Sequence, residues 1–317
     1  MRCFFVSDLH GKLDRYSALL DRIASERPQA VFLGGDLLPN AFDRTWAADL
    51  GPADFVTDVL GAGFSALREG LGPRYPRVLV ILGNDDPRAE EAELQRLAAA
   101  GLWDYVHDRS VRLGTCGSLT EEQGEGGPDA AGGPAAGAGP GPRLGQLTAY
   151  GYAFVPPSPF LLKDWERYDV SRFVDPGCTA PDEGALTVPV PELELRFGTI
   201  HRGLARLVGD DDVSRAIFLF HSPPYQSNLD RAALDGKMVD HVPLDVHVGS
   251  IAIRRFIADR QPLLTLHGHV HESARLTGSW RDRDGRTHMF GAAHDGPELA
   301  LVRFDTDDLE AASRELI

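Results

Sequence analysis

Three histidines alternate in the stretch LHGHVH, residues 266–271. If this stretch is extended, His267, His269 and His271 project to the same face. Imidazoles titrate near neutral pH, so three packed together repel one another when protonated and leave polar atoms unpaired when buried without partners. The spacing therefore indicates that something holds these side chains in place.

Other potential ligands follow apolar stretches at distant places in the chain. The motifs are SDLHG with Asp8 and His10, GGDLL with Asp36, GNDD with Asn84, FLFHSPP with His221, and GHVH with His269 and His271. Carboxylate and imidazole ligands together suit first-row divalent metals such as manganese, iron or zinc. These seven residues exceed what one ion needs, whereas two ions about 3.5–4 Å apart that share a bridging carboxylate would use them all.

Repeated strand and helix patterns predict where these residues meet. Residues 2–11, 29–36 and 77–86 read as apolar strands with polar ends, and each is followed by a stretch with helical spacing. This βαβ pattern predicts a sheet whose carboxyl edge binds ligands. The second half is richer in strands and has one clear helix, SIAIRRFIADRQ, with Ser250 as its N-cap.

The segment 114–145 interrupts this pattern with glycine, proline and alanine. It is poor in large apolar residues, so we predict a disordered insertion that splits a hairpin between YVHDRSVRL and LTAYGYAF. The prediction is one domain in two parts, 1–113 and 146–305, followed by a C-terminal tail at 306–317.

Composition narrows the class of protein. The chain has 317 residues, 43% of them hydrophobic, which is ample for a buried core. Its net charge of −15 disfavours nucleic acid as a partner. Neither an apolar run of membrane-spanning length nor a cleavable leader is found, and three scattered cysteines do not form a disulfide framework, so we expect a cytoplasmic protein without a membrane span. Its oligomeric state stays open.

In this order the motifs resemble those of the calcineurin-like metallophosphoesterases, whose pattern is D-x-H, G-D, G-N-H-D/E, a lone H, and G-H-x-H. The resemblance covers nearly all of the chain outside the insertion, and five motifs in the right order are specific. It implies an α/β fold in which a β-sandwich is flanked by helices. It also implies two divalent metal ions (Mn²⁺, Fe²⁺/Fe³⁺ or Zn²⁺) and hydrolysis of a small phosphate-ester substrate by a metal-bridging hydroxide.

The resemblance also implies a role for each ligand. Asp8, His10 and His271 would hold the first ion, Asn84, His221 and His269 would hold the second, and Asp36 would bridge the two.

One position departs from the family pattern. Where many relatives have histidine after the asparagine, this chain has Asp85. An ionised aspartate has no proton to give to a leaving group and repels a phosphate. His241 and His247, in the loop before Ser250, are alternative candidates for that catalytic task, and the N-terminus of the helix at Ser250 is a candidate phosphate site.

Structural interpretations remain for several of the other residues. We expect His267 to be a structural residue that pairs with backbone or a carboxylate. Asp86 reads as a cap for the helix that begins near Pro87. The aromatic stretch KDWERYD, residues 163–169, reads as core in preference to a lid over the pocket.

The function predicted from these patterns is dimetal-dependent hydrolysis of phosphate esters. We expect phosphodiesters to be preferred, because no cluster of arginine or lysine is placed to receive a dianion. The alternative is a catalytically weak scaffold or binding protein with the same fold, which Asp85 favours and the complete set of seven ligands opposes.

Overall fold

The computed structural model describes residues 1–39, 54–113 and 147–317. The helices are α1 (Leu13–Glu26), α2 (Ala62–Leu71), α3 (Glu91–Ala99), α4 (Glu192–Phe197), α5 (Ile200–Val208), α6 (Ile251–Arg260) and α7 (Ser273–Thr277). A π-helical stretch, Phe55–Gly61, leads into α2, and short 3₁₀ turns lie at Gly72–Arg74 and Arg88–Glu90.

The strands are β1 (Arg2–Val6), β2 (Ala30–Gly34), β3 (Arg77–Ile81), β4 (Asp104–Tyr105), β5 (Arg109–Leu113), β6 (Leu147–Tyr152), β7 (Ala216–Phe220), β8 (Met238–Val239), β9 (Val242–Pro243), β10 (Leu264–His267), β11 (Arg281–Asp284), β12 (Thr287–Gly291), β13 (Ala300–Asp305) and β14 (Asp308–Leu316).

Two six-stranded mixed sheets form the body of the molecule. In the first sheet, β1 to β4 are parallel neighbours, and β13 and β14 extend the sheet with antiparallel pairing. In the second sheet, β6, β7, β10 and β12 are parallel, and β5 and β11 are antiparallel edge strands. The expected α/β fold, a β-sandwich flanked by helices, is confirmed.

The core lies between the two sheets and beneath the helices. β1, β2, β3 and β7 are apolar runs buried on both faces, as expected for strands covered on two sides. Phe304 of the first sheet packs 6.0 Å from the ring centroid of Phe290 in the second. Burial of this apolar surface on both sides fixes the register of each strand and therefore the position of its carboxyl end.

Two predictions about the chain's organisation can be compared with these elements. The predicted hairpin around the insertion is present, because β5 and β6 pair antiparallel, whereas the insertion at 114–145 itself lies outside the described residues. The segment 306–317 was expected to be a tail but contains β14, which pairs with β13. The sequence did not indicate this strand because few of its apolar side chains are buried; an edge strand is held largely by backbone hydrogen bonds.

Among the described residues, no helix is long and apolar enough to cross a membrane.

Candidate metal centre

The first candidate metal position combines residues that follow β1, β2 and β10. His10 Nε2 lies 3.1 Å from His271 Nε2, which in turn lies 3.3 Å from Asp8 Oδ1. With Asp36, these residues offer four ligand atoms that all lie within 4.8 Å of one another. Two ring nitrogens and two carboxylate oxygens at this separation suit a divalent first-row metal ion.

The second candidate position is centred on the buried ring of His221. Its Nδ1 lies 2.8 Å from the carbonyl of Gly34, an acceptor, so Nδ1 carries a proton. In the neutral ring, the lone pair of Nε2 then faces Asp36 Oδ2 at 3.2 Å and Asn84 Oδ1 at 3.0 Å. His269 joins this group, and its ligand atom lies within 4.8 Å of those of Asp36 and His221. Acceptors that face one another in this way repel, and a cation between them would remove the repulsion.

Asp36 belongs to both positions. Its Oδ2 lies 3.2 Å from His221 Nε2 and 4.0 Å from His10 Nε2. Its Oδ1 accepts a hydrogen bond from Asp85 N at 2.8 Å, which fixes the orientation of the carboxylate. The donor set therefore fits two divalent ions with one carboxylate between them.

The ionisation of these side chains points to a need for positive charge. Burial opposes ionisation of Asp36, but the charge and hydrogen bond of His221 hold its pKa at about 2. Burial likewise opposes protonation of His221, but Asp36 raises its pKa to about 10. At the first position, burial is again outweighed, because Asp8 raises the pKa of His271. Each position thus favours positive charge beside a carboxylate, which a metal ion can supply in place of a proton.

The backbone at the ligands is strained. Asp8, His10, Asp36 and His269 have φ values of 58°, 48°, 50° and 76°, in the left-handed region that side chains rarely adopt. Hydrogen bonds between the loops hold part of this geometry, since Asp8 N donates to Gly35 O at 3.0 Å and His10 N donates to Asp36 O at 2.8 Å. Strain of this kind is concentrated at functional sites, where the surrounding structure maintains it.

Two glycines allow the ligand loops to approach closely. A side-chain carbon at Gly83 would lie 2.5 Å from the backbone nitrogen of Asp36. At Gly268 it would lie 2.7 Å from Asp8 Oδ2 and 3.0 Å from Ser7 Cβ. Any larger residue at these positions would displace a ligand.

Asp86 supports the site in a way that the sequence did not reveal. The prediction that it caps the helix near Pro87 is wrong. Its buried carboxylate accepts hydrogen bonds from Leu37 N at 3.1 Å, Leu38 N at 2.7 Å and Gly83 N at 2.9 Å. It therefore joins the loop after β2 to the loop after β3. The cap was predicted because acidic residues often cap a helix that begins directly after them.

Arg15 is a second supporting residue that sequence reasoning missed. This buried guanidinium donates to the carbonyl of Asp8, to Gly296 O at 2.6 Å and to Pro297 O at 3.3 Å. It anchors the backbone of the first ligand loop to the segment that follows β12. An arginine on an amphipathic helix normally reads as solvent-exposed, so the sequence carried no signal for this contact.

Asp85 lies at the edge of the site, beside the first position. Its Oδ2 is 3.7 Å from His10 Nδ1, and its Oδ1 accepts a hydrogen bond from Asn84 Nδ2 at 3.0 Å. That bond turns the amide oxygen of Asn84 toward His221. Burial and, second, the charge of Asp36 raise the pKa of Asp85 to about 7. Its catalytic role stays a prediction.

The two histidines proposed as alternatives to Asp85 lie outside both groups of converging ligand atoms. His241 is exposed in the turn between β8 and β9, with a φ of 68°. The side chain of His247 is 28% exposed, and its Nδ1 lies 2.8 Å from Asp230 Oδ1. Their catalytic roles also stay predictions.

The N-terminus of α6 lacks the open donors expected of a phosphate site, because its N–H groups are paired within the chain. Asp169 accepts hydrogen bonds from Ile251 N at 2.6 Å and from Ala252 N at 3.1 Å. Gly249 N donates to Asp230 Oδ2 at 3.2 Å. A carboxylate of the chain occupies the place that a phosphate oxygen would need.

Two structural interpretations are confirmed. His267 is buried, with Nδ1 2.9 Å from Ser222 O and Nε2 2.7 Å from Thr265 Oγ1, so both ring nitrogens have partners within the protein. Trp165 and Tyr168, of the aromatic stretch, are buried in the structure and do not form an exposed lid.

Comparison with known proteins gives a family and a fold. A family model for calcineurin-like phosphoesterases matches residues 1–273. No curated protein matches the chain. One crystal structure aligns with a TM-score of 0.55 at 14% identity over 99% of this chain and 98% of that chain, which shows a shared fold.

Two further solved structures have lower scores. The protein TT1561 of Thermus thermophilus aligns with a TM-score of 0.48 at 16% identity, over 99% of this chain and 98% of that chain. A dimetal phosphatase from Danio rerio aligns with a TM-score of 0.47 at 14% identity, over 96% of this chain and 91% of that chain. The family model spans most of the described residues and includes all seven predicted ligands, so the chain belongs to the calcineurin-like phosphoesterase family.

Proposed function

We propose that this protein hydrolyses phosphate esters, with a preference for phosphodiesters, at two divalent metal ions. The ligands are Asp8, His10 and His271 for the first ion, Asn84, His221 and His269 for the second, and Asp36 for both. The observation that supports this most strongly is that both groups of ligand atoms include Asp36. When bound, the ions would activate water and neutralise charge on the phosphate oxygens.

The remaining residues orient this machinery. Asp85 holds Asp36 through its backbone N–H and holds Asn84 through its carboxylate, so its role includes keeping both ligands in position. Its pKa is raised to about 7, so above that pH it is ionised and has no proton to donate to the leaving group. We therefore assign that task to an imidazole, with His247 and His241 as the candidates.

The preference for diesters follows from the charges near the site. Two arginines that follow ligand motifs in the chain are already engaged. Arg15 binds backbone carbonyls, and Arg88 pairs with Glu91 at 3.2 Å and stacks over Trp165. Neither is free to neutralise the second negative charge of a phosphomonoester, so a monoanionic diester fits better.

The first experiment measures hydrolysis by metal-stripped protein after manganese, iron or zinc is restored. Bis-p-nitrophenyl phosphate and p-nitrophenyl phosphate are compared, with Asp36→Asn as the inactive control and Asp85→His as a test of the departure from the family pattern. We expect metal-dependent cleavage, faster for the diester, that Asp36→Asn abolishes. Faster turnover of the monoester would contradict the preference, and no cleavage with any metal would contradict the enzyme.

A second candidate function is a scaffold or binding protein of the same fold with little catalysis. Asp85 in place of the family's usual histidine favours it. Protein that holds two ions yet cleaves neither substrate would support this alternative. A rate increase in Asp85→His would then show that the missing imidazole limits catalysis.

A further inference from the structure

A buried carboxylate, that of Asp230, holds the candidate histidine His247 through a hydrogen bond. Asp230 is fully buried, and its Oδ1 lies 2.8 Å from Nδ1 of His247. Both oxygens also accept hydrogen bonds from backbone nitrogens, from Ser227 at 2.9 Å, from Gln226 at 2.8 Å and from Gly249 at 3.2 Å. The carboxylate is therefore fixed in place, and so is the imidazole that it holds.

This contact determines which ring nitrogen of His247 is available. A carboxylate only accepts, so Nδ1 carries a proton and donates it to Asp230. Nε2 is then left for other partners, and 28% of the side chain is exposed. The backbone is fixed as well, since His247 N donates to Asp245 Oδ1 at 2.9 Å. A histidine that a carboxylate orients in this way is arranged for proton transfer at its free nitrogen.

The pair lies on the segment that follows His221, and this segment contacts the residue that follows His271. Ser250 N donates at 2.9 Å to the carbonyl of Pro223, two residues beyond His221. Ala233 N donates at 2.9 Å to the carboxylate that follows His271 in the chain. The loop that holds Asp230 and His247 is thus attached to the chain beyond both ligands, at the carboxyl edge of the second sheet.

We propose that Asp230 is a positioning residue, which holds His247 so that its Nε2–H protonates the leaving-group oxygen. This inference rests on the proposed function. As water's oxygen bonds to phosphorus and releases a proton to solvent, the bond to the leaving group breaks and its electron pair stays on the leaving oxygen. That oxygen takes the proton of Nε2, and the imidazolium becomes a neutral ring that keeps Nδ1–H on Asp230. Solvent then restores the proton of Nε2.

The kinetic test compares two diesters that differ only in leaving group, methyl p-nitrophenyl phosphate and methyl phenyl phosphate. Phenolate is the poorer leaving group and needs a proton more. With the metal-loaded full chain, His247→Gln and Asp230→Asn should each lower kcat about 100-fold for the phenyl ester and less than tenfold for the p-nitrophenyl ester. Equal losses on both substrates would overturn the proposal.

A spectroscopic test needs no activity. Nitrogen NMR of histidine-labelled protein, assigned with His247→Gln, should show neutral His247 as the Nδ1–H tautomer. In Asp230→Asn an amide N–H can face the ring in place of a lone pair, so we expect a shift toward the Nε2–H tautomer. A wild-type ring with its proton on Nε2 would overturn the positioning role, whether or not the protein cleaves either ester.

A matched control separates positioning from loss of structure. Asp282, on β11, accepts a hydrogen bond at 2.8 Å from the backbone nitrogen of Asn228, which lies in the same loop as Asp230. Asp282→Asn should leave the difference between the two leaving groups and the tautomer of His247 unchanged. If it reproduces the effects of Asp230→Asn, the loop's integrity alone explains them and the proposal is wrong. If wild-type protein cleaves neither ester with any metal, the proposed function fails, and the tautomer still decides the role of Asp230.

Discussion

Two regions meet at the carboxyl edge of the sandwich and are built differently. The metal cradle consists of the turns directly after β1, β2, β3, β7 and β10, which carry the seven ligands. The outer loops are the longer segments 153–199 and 222–250, which leave β6 and β7 at the same edge. Cradle residues lie within a few residues of a buried strand end, whereas the outer loops depend on single side chains that fix them to distant backbone.

This difference separates binding from stability. The cradle combines strained backbone with polar atoms that repel one another, so we interpret its geometry as arranged to bind metal ions. In the outer loops, Asp164 binds Arg88 N at 2.8 Å and Asp169 caps α6, so these two carboxylates stabilise the fold. Changes in the cradle should reduce metal affinity, and changes in the outer loops should reduce the free energy of unfolding.

The largest expected effect is on stability, from Lys163→Met in the outer loops. Lys163 Nζ lies 2.5 Å from Glu166 Oε2, and both side chains are fully buried. Removal of the lysine leaves an uncompensated buried carboxylate, so we expect a loss of about 3–5 kcal/mol in the free energy of unfolding. Denaturant unfolding measures this loss, and metal affinity should not change.

The same variant has a defined pH dependence. Burial, opposed by Lys163, already raises the pKa of Glu166 to about 7, above that of the unfolded chain. Without the lysine, the folded form retains this proton more strongly, so the penalty is small near pH 5 and grows as the pH rises toward 8. The double variant with Glu166→Gln should recover most of the stability. An equal penalty at both pH values would contradict this explanation.

The next effect tests the cradle through Gly83→Ala. The added carbon meets the backbone of Asp36, which cannot move without displacing the shared ligand. We expect metal affinity to fall about 100-fold, at the upper end of what supporting residues contribute. Calorimetric titration measures it. Gly70→Ala is the matched control, because an added carbon there meets nothing within 4 Å. Equal affinities for the two variants would refute the close approach.

A smaller effect is expected from Asp86→Asn. The amide keeps one acceptor oxygen but loses the other, which weakens the connection between the loops after β2 and β3. We expect metal affinity to fall about tenfold, together with a modest loss of stability. Calorimetric titration and thermal unfolding on the same protein measure both. Unchanged metal affinity would show that Asp86 supports the fold alone.

The smallest effect is expected from Asp169→Asn at the start of α6. One lost acceptor at a helix N-terminus costs about 1 kcal/mol, measurable by thermal unfolding. Metal affinity should stay at the wild-type value, because Asp169 contacts α6 and no ligand. A clear drop in affinity would mean that the outer loops also shape the ion positions.

The cradle was predictable from the sequence for a physical reason. Buried strands are recognisable in the sequence as apolar runs, and the carboxyl ends of parallel strands share one edge of the sheet. Residues such as Asp8, Asp36 and His221 could therefore be predicted to lie close together from the sequence alone. The ordered family motifs then assigned them. The β-sandwich was implied by the family resemblance, whereas the apolar runs alone predicted a βαβ sheet.

The supporting contacts were not predictable in this way. Arg15, Asp86 and Asp169 each bind backbone atoms that are distant in sequence, and no local spacing encodes such a partner. Asp86 and the start of α6 were misread because acidic residues near a helix and open N–H groups have common local uses. Strand β14 was missed because an edge strand needs few apolar side chains.

The most direct test of the account is the number and coupling of bound ions. Metal-stripped protein is loaded with Mn²⁺, analysed for bound metal per chain, and examined by electron paramagnetic resonance. The account predicts two ions whose spins are coupled through a shared ligand, and loss of that coupling in folded Asp36→Asn. A single ion per chain, or two uncoupled ions in the wild-type protein, would contradict the shared carboxylate on which the proposed function depends.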